Sequence, residues 1–150
     1  MIIRKIKRTE IDEVSKIVGK NYKKIYEKLC KKELGSMFID KVLPPEYLIA
    51  EEKGKIVGFA GYSQSWIDYK IYEIFWVNVN PAFQNNGIGT IIVKKVIDKI
   101  KSKKGKTKSC SMILLTTKNP NFYKKRFKFK TIAKVSKKRY DLMALNLEKR

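Results

Sequence analysis

A polar turn between a β-rich run and an apolar helical pattern holds the residues best suited to chemistry. The turn reads Gln84-Asn85-Asn86-Gly87-Ile88-Gly89-Thr90. Because Gly87 and Gly89 lack Cβ atoms, the backbone can approach an oxyanion closely, and unpaired N–H groups at a helix start attract phosphate. The side-chain amides of Gln84, Asn85 and Asn86 add neutral donors around the same position. The segment therefore predicts a site for a pyrophosphate group.

Other phosphate-binding patterns fail on this sequence. The dinucleotide-binding fingerprint needs a third glycine where Ile92 stands. Gly105-Lys106-Thr107 ends like a P-loop, but Ile100 stands where the first glycine belongs and no strand precedes it. A plain turn into a helix, with no ligand, is the remaining alternative for Gly87 and Gly89.

Hydrophobic periodicity indicates the elements that position this turn. Strands are predicted at residues 2–6, 47–52, 55–65, 71–79, 111–117, 129–135 and 139–147. Helices are predicted from a Thr9/Asp12 capping box to Leu29 with a break near Gly19, at 88–100 and at 119–125, with a loop at 35–45. This order fits one mixed sheet with helices on its faces, an α/β or α+β fold, and residues 1–150 are predicted to form a single domain.

Composition excludes several classes of function. The chain has 35 Lys and Arg against 14 Asp and Glu, a net charge of +21, no histidine and two isolated cysteines, Cys30 and Cys110. Without histidine there can be no Ser-His-Asp or Cys-His catalytic group and no Cys/His zinc site, so no metal is expected. Lysine pairs are spread along the chain, which favours solvated faces over a dedicated nucleic-acid surface. No apolar run reaches membrane-spanning length and no signal peptide is recognised, so a cytoplasmic protein is expected.

The pattern Gln84-x-x-Gly87-x-Gly89, preceded by the strand residues 73–79, resembles motif A of the GNAT superfamily of N-acetyltransferases. The order of elements resembles that family over essentially the whole chain. The resemblance implies a mixed, mostly antiparallel central sheet with splayed central strands. It also implies that acetyl-CoA is the co-substrate, and that its acetyl group passes directly to a primary amine in a ternary complex, without a covalent enzyme intermediate.

The resemblance further implies which residues form the site. The pantetheine arm would lie between the strands at 71–79 and 111–117, with the backbone of Val77 and Val79 pairing with the cofactor. Glu73 resembles a glutamate that serves as base, often through water, although an ordinary strand charge is the alternative. The cofactor-binding residues implied are Val77, Asn78, Val79, Gln84, Asn85, Asn86, Gly87, Ile88, Gly89, Thr90 and Asn119.

Tyr123 resembles the tyrosine that donates a proton to the coenzyme A sulfur, within the family's Phe-Tyr-x-x-x-Gly-Phe pattern. The chain departs from that pattern between Phe122 and Phe129, with one extra residue before the final phenylalanine and Lys128 in place of glycine. Either Tyr123 is displaced or the turn after it is rebuilt. A packing role for Tyr123 is the alternative to a catalytic one.

The acceptor amine is not identified by the sequence. Trp66, Asp68 and Tyr69 lie where acceptor-side residues gather in this family, or else form an ordinary surface hairpin. A protein N-terminus or lysine, a polyamine or a small metabolite all remain open, and the charge of +21 favours an anionic acceptor or one carried on an acidic or RNA-bound partner. A non-catalytic coenzyme A-binding or basic RNA-associated module is the rival function. The resemblance also implies possible pairing into a homodimer through the sheet or the C-terminal strands.

Overall fold

Short runs rich in β-branched and aromatic residues form the strands, as their propensities predict. The computed structural model describes residues 1–105 and 108–148. Its strands are β1 (Ile2–Lys5), β2 (Glu46–Glu52), β3 (Lys55–Gln64), β4 (Ile71–Val79), β5 (Met112–Thr117), β6 (Lys130–Val135) and β7 (Tyr140–Asn146). Its helices are α1 (Ile11–Asn21), α2 (Lys24–Ser36), α3 (Ile88–Lys101) and α4 (Pro120–Phe127).

The strands join in one seven-stranded sheet in the order β1-β2-β3-β4-β5-β7-β6. Every neighbouring pair is antiparallel except β4 and β5, which are parallel and are connected through α3. The prediction of a mixed, mostly antiparallel α/β sheet is therefore confirmed.

Helices cover both faces of the sheet, and the alternation of side chains along β2 shows how. Leu48 and Ala50 belong to the core cluster that contains the apolar face of α3, whereas Tyr47 and Ile49 belong to the cluster that contains α1 and α2. Successive side chains of a strand point to opposite faces, so β2 is buried on both sides. This double burial holds the centre of the sheet rigid beneath the site.

The central strands separate partway along their length. β4 and β5 pair only from Ile71–Met112 to Glu73–Leu114, although both strands continue beyond that point. A β-bulge then bends β4, because Gly61 pairs with Phe75 but Phe59 pairs with Asn78, leaving an extra residue on β4. The resulting fork is the splayed arrangement predicted for this sheet.

The N-terminal helical segment has the break predicted near Gly19, but not the predicted cap. α1 and α2 are separated at residues 22–23, where the backbone of Tyr22 is extended. The Thr9/Asp12 capping box is wrong, because the Glu10 carboxylate accepts the Lys7 N–H at 2.8 Å and α1 begins only after that turn.

The end of α2 lies inside the loop predicted at 35–45, since its last two residues, Gly35 and Ser36, belong to that predicted loop. Lys106 and Thr107, part of the dismissed P-loop match, lie outside the described residues. None of the helices in the described parts of the chain is both long and apolar enough to cross a bilayer.

Candidate active site

A cleft of about 1160 Å³ opens at the fork between β4 and β5. The second halves of these strands form its floor, the start of α3 and the α1–α2 connection form one wall, and α4 forms the other. Most residues of the predicted site lie along it: Val77, Asn78, Val79, Gln84, Asn85, Gly87, Ile88, Gly89, Thr90, Asn119 and Tyr123. The absence of ladder hydrogen bonds between the separated strands leaves room there for an extended ligand.

The turn before α3 presents its backbone N–H groups to this cleft. Gly87 caps α3 in the left-handed conformation, with φ at +78°, and Asn85 is also left-handed, with φ at +66°. Among the described residues, no acceptor pairs with the N–H groups from Asn85 to Thr90. A row of unsatisfied donors at a helix start is a site for an anion, and the helix dipole adds to its positive potential.

The glycines of this turn have different roles. A side chain at Gly87 would meet no atom within 4 Å, so what requires glycine there is the backbone angle rather than space. A Cβ at Gly89 would lie 3.7 Å from both Phe122 and Val79, which is ordinary contact distance. A side chain larger than a methyl group at position 89 would therefore extend into the space between Phe122 and Val79.

Gln84 acts as a brace rather than as a free donor into the cleft. Its Nε2 donates to Asn21 Oδ1 and to the Val79 carbonyl, each at 3.0 Å. Asn21, the last residue of α1, in turn donates to Asn78 Oδ1 at 3.1 Å and to the Val79 carbonyl at 3.0 Å. These bonds tie the turn to α1 and β4. They also occupy the Val79 carbonyl, so of Val77 and Val79, whose backbones were predicted to pair with the cofactor, Val79 already has its carbonyl satisfied within the protein.

Asn86 also differs from its predicted role. Its Nδ2 donates to the carbonyls of Phe83 and Gln84, at 3.2 and 3.4 Å, and its side chain does not line the cleft. The amide therefore stabilises the turn from within. Asn85 is the remaining side-chain amide of the turn that faces the cleft.

The α4 wall is built from aromatic side chains. Tyr123 is 7% exposed and packs edge-on against Phe122 and Phe129 and at a tilt against Phe127. Burial, and secondarily the neighbouring Tyr22, raises the pKa of the Tyr123 hydroxyl above its ordinary value, so the group stays protonated at neutral pH. Asn119 caps α4 and lies beside Tyr123 on the cleft wall.

The segment after Tyr123, where the sequence departs from the family pattern, forms a rebuilt turn. Lys128 ends α4 with φ at +63°, the left-handed angle that the glycine of the family pattern would adopt, and the Phe129 N–H bonds the Tyr123 carbonyl at 3.3 Å. The extra residue is absorbed there. Tyr123 consequently keeps its place in the cleft wall.

Glu73 lies at the base of the fork, not in the cleft wall. It pairs with Ser63 of β3 and Leu114 of β5, the last residue pair before the strands separate. Burial raises the pKa of its carboxyl group. The hairpin residues Trp66, Asp68 and Tyr69 do not line the cleft either. The expectation that they shape an acceptor pocket is therefore not met by this cleft.

Several residues in and around the cleft could not be recognised from the sequence. Asn21 lies 63 residues before Gln84 in the sequence, although its side chain braces the turn that Gln84 begins. Nothing in the pattern of α1 distinguishes Asn21 from a surface polar residue. Tyr22, Lys23 and Tyr26 enter the wall because α1 and α2 meet above the fork. Lys118 lies over the ring of Tyr140, which only the packing of the sheet brings near.

A mixed sheet that forks beside the start of a helix with unpaired N–H groups is the arrangement that the GNAT resemblance implied. The model of the acetyltransferase (GNAT) family matches residues 11–129. The chain belongs to this family, as the resemblance of its motif predicted.

Individual relatives agree with the family assignment. An uncharacterized N-acetyltransferase of Methanocaldococcus jannaschii is 28% identical over 109 residues, covering 67% of this chain and 48% of the relative. The chain thus spans about half the length of that curated relative.

Solved structures share the fold. An aminoglycoside 6'-N-acetyltransferase complexed with coenzyme A has a TM-score of 0.80 at 18% identity, covering 100% of this chain and 99% of that one. A GNAT family acetyltransferase from Brucella melitensis in complex with acetyl-CoA has a TM-score of 0.72 at 19% identity, covering 99% of this chain and 88% of that one.

Proposed function

We propose that this chain transfers the acetyl group of acetyl-CoA to a primary amine. The observation that carries the proposal is the row of unpartnered N–H groups from Asn85 to Thr90 at the open end of a forked sheet. The pyrophosphate of the cofactor would satisfy these donors, and its pantetheine arm would enter the fork. Family membership and the coenzyme A complexes of two structural neighbours support the same assignment.

The chemistry requires no enzyme nucleophile. The amine nitrogen attacks the thioester carbonyl, the C–N bond forms, the C–S bond breaks, and the departing sulfur takes a proton while the nitrogen loses one. Tyr123, in the cleft wall with a protonated hydroxyl, would donate a hydrogen bond to the departing thiolate. Because its pKa is raised, Tyr123 would stabilise the thiolate chiefly as a hydrogen-bond donor, and the thiolate would take its proton from water as coenzyme A leaves.

Removal of the amine proton is assigned to Glu73 acting through water. The Glu73 carboxyl lies at the base of the fork rather than in the cleft wall. A water molecule would therefore connect the carboxylate to the amine nitrogen in place of a direct hydrogen bond. The raised pKa of Glu73 suits a base that exchanges protons nearer to neutral pH.

Binding of the cofactor is tested by calorimetry and by thermal unfolding with acetyl-CoA, coenzyme A and inorganic pyrophosphate. At a hundredfold excess over the dissociation constant, bound acetyl-CoA should stabilise the protein by about 2.7 kcal/mol. Mass spectrometry of an amine panel incubated with acetyl-CoA, and separately with succinyl-CoA, then shows whether turnover occurs and which donor is preferred. No binding heat and no melting shift with any of the cofactors would refute the proposal.

The rival function predicts other results from the same protein. A basic RNA-associated module would bind RNA with steep salt dependence and would gain no stability from acetyl-CoA. A non-catalytic coenzyme A-binding module would gain stability but acetylate nothing.

We further propose one domain acting in the cytoplasm, which the free thiols of Cys30 and Cys110 suit. Sedimentation would show whether two copies pair.

A further inference from the structure

The charge of the cleft wall is one-sided. Lys23, Lys118, Lys125 and Arg126 line it, and none of the 14 Asp and Glu residues does. Residues that face a common cleft within a low-dielectric wall act together on a ligand's charge. The cleft is therefore electropositive before any ligand binds.

Apart from Glu73 at the base of the fork, the carboxylates next to lining residues are engaged elsewhere. Asp141 follows the lining residue Tyr140, but its oxygens accept from Lys134 and from the Thr131 hydroxyl, each at 2.6 Å. The Glu33 carboxylate accepts the indole N–H of Trp76. Neither carboxylate faces into the cleft to pair with a cationic ligand.

The cations fall into two groups by position. Arg126 lies 4.8 Å from the centre of the Phe122 ring, and Phe122 is the residue nearest to Gly89 across the cleft. Arg126, with Lys125 on the same helix, therefore lies on the side where cofactor phosphates would meet the start of α3. Lys118 is instead held over the Tyr140 ring, at 5.2 Å, on the β5–β7 side.

Lys23 is assigned to the acceptor side because its neighbour Tyr22 lies close enough to Tyr123 to affect the pKa of that hydroxyl. It lies in the α1–α2 connection between Tyr22 and Tyr26, whose rings are 6.1 Å apart at the cleft mouth. Neither Lys23 nor Lys118 forms an ion pair within the described part of the chain. Both ammonium groups are thus available to a second ligand beside the cofactor.

We propose that the acceptor of this enzyme carries an anionic group, a carboxylate or a phosphate, close to its reactive amine, and that Lys23 and Lys118 recognise that group. The inference rests on the proposed acetyl transfer and names the class of its acceptor. Polycationic amines such as polyamines and aminoglycosides are disfavoured, because the wall offers them like charges and no carboxylate.

An electropositive cleft also suits the chemistry of the amine. Nearby positive charge favours the neutral form of an amine, which is the form that attacks the thioester. An α-amino group, with an ordinary pKa of about 7.7–8.0, reaches that form more easily than a lysine side chain at about 10.4. Acidic amino acids and acidic peptide N-termini therefore fit the cleft better than lysine side chains do.

The acceptor class is tested with matched probes. The peptides Ser-Glu-Glu-Ser and Ser-Gln-Gln-Ser, each with an amidated C-terminus, are near-isosteric and differ in charge, and Ser-Lys-Lys-Ser, scored for acetylation at its N-terminus, is the cationic member. Phosphoethanolamine against ethanolamine, and glutamate against its diamide, form the small-molecule arm, with spermidine as the polycation. We expect kcat/KM for the acidic member to exceed that of its cationic counterpart by about tenfold or more, a factor typical of a few added ion pairs. The arm with the larger gain identifies a peptide or a small molecule as the source of the anion.

Charge reversal at the two lysines locates the effect. Lys23→Glu and Lys118→Glu should each lower kcat/KM for the acidic probe about tenfold and leave acetyl-CoA affinity unchanged, while Lys118→Arg retains the preference. Lys95→Glu, on the exposed face of α3 outside the cleft, is the control for net charge and should change neither value.

The possible failures are distinguishable. Preference for spermidine or the lysine peptide, equal use of all charges, or acetylation of no probe by a protein that binds acetyl-CoA would each overturn the acceptor class and leave the cofactor assignment intact. Failure to bind acetyl-CoA at all would overturn the proposed function itself.

Discussion

In the turn at residues 84–90 the groups that face the cleft are backbone N–H groups and the Asn85 amide, whereas on α4, across the cleft, they are the side chains of Tyr123, Lys125 and Arg126. The turn needs particular backbone angles, and Gly87 supplies one that other residues adopt with strain. The α4 wall needs particular side chains in a packed aromatic cluster. Substitutions should therefore damage the two regions in different ways.

The largest effect is expected from Gly87→Glu. Left-handed strain costs about 1–2 kcal/mol, and a carboxylate among the free N–H groups would repel pyrophosphate, so acetyl-CoA affinity should fall about 100-fold or more. Calorimetry measures the loss. Gly54→Glu is the matched control, since Gly54 has the same φ of +78° and open space but lies in the β2–β3 turn. Equal affinity loss in both variants would show that strain alone acts.

Tyr123→Phe tests the other wall. Removal of the hydroxyl should lower kcat about 10- to 100-fold while the affinity for acetyl-CoA stays unchanged, because the ring keeps its packing against Phe122 and Phe129. Steady-state kinetics and calorimetry on the same preparation separate the two quantities. Phe122→Leu, which alters packing without removing a polar group, is the companion variant. An unchanged kcat in Tyr123→Phe would leave Tyr123 with only a packing role.

Glu73→Gln tests the base at the fork. Because burial raises the pKa of Glu73, activity that depends on its ionised form should fall as pH drops through a value above the ordinary one. The variant should lose this acidic limb and be slower by about tenfold or less at pH 7, since the carboxyl acts through water. The pH profile of kcat/KM is the measurement, with Glu13→Gln on the exposed face of α1 as control. An acidic limb retained in Glu73→Gln would assign deprotonation to solvent.

Asn21→Ala should weaken the turn without touching its backbone groups. The loss of the bonds to Asn78, Gln84 and the Val79 carbonyl should lower the stability by about 1–3 kcal/mol and reduce acetyl-CoA affinity severalfold. Thermal unfolding gives the first value and calorimetry the second. Asn146→Ala, which removes one exposed bond to the Glu148 N–H, is the control. Additive losses in the Asn21→Ala/Gln84→Ala pair would contradict their coupling.

The smallest effect concerns the rebuilt turn after α4. Lys128→Gly should raise the free energy of unfolding by about 1 kcal/mol, because glycine adopts the left-handed angle without strain. Lys130→Gly, in β6, should instead destabilise the protein. Chemical unfolding of both variants measures the difference. Destabilisation by Lys128→Gly would mean that the lysine side chain itself supports the turn.

Much of the fold follows from local pattern. The run at β4 and the apolar stripe of α3 are long and strongly periodic, and both elements lie where the sequence predicts them. The helix break predicted near Gly19 lies just after it, at residues 22–23, where the chain leaves α1 in an extended conformation. The cap at Thr9 failed because Arg4, on β1, holds the Glu10 carboxylate that caps the turn instead.

Some residues of the candidate site could likewise be predicted from local sequence, whereas the contacts of others could not. Gly87 could be found from the sequence, because the backbone angle at a helix start restricts the residue type there. Gln84 and Asn86 were placed correctly along the chain, but their hydrogen-bond partners depend on where α1 and the turn meet. No local pattern encodes that meeting point.

The amino-acid sequence by itself determined the order of elements, the family and the position of the turn that lines the cleft, since each depends on short-range periodicity or on a residue type required by a backbone angle. Only the tertiary structure decided that Asn21 braces this turn, that Glu73 lies behind the cleft wall, and that the wall carries cations without carboxylates. These features join residues distant in sequence, and side-chain packing across the two faces of the sheet brings them together.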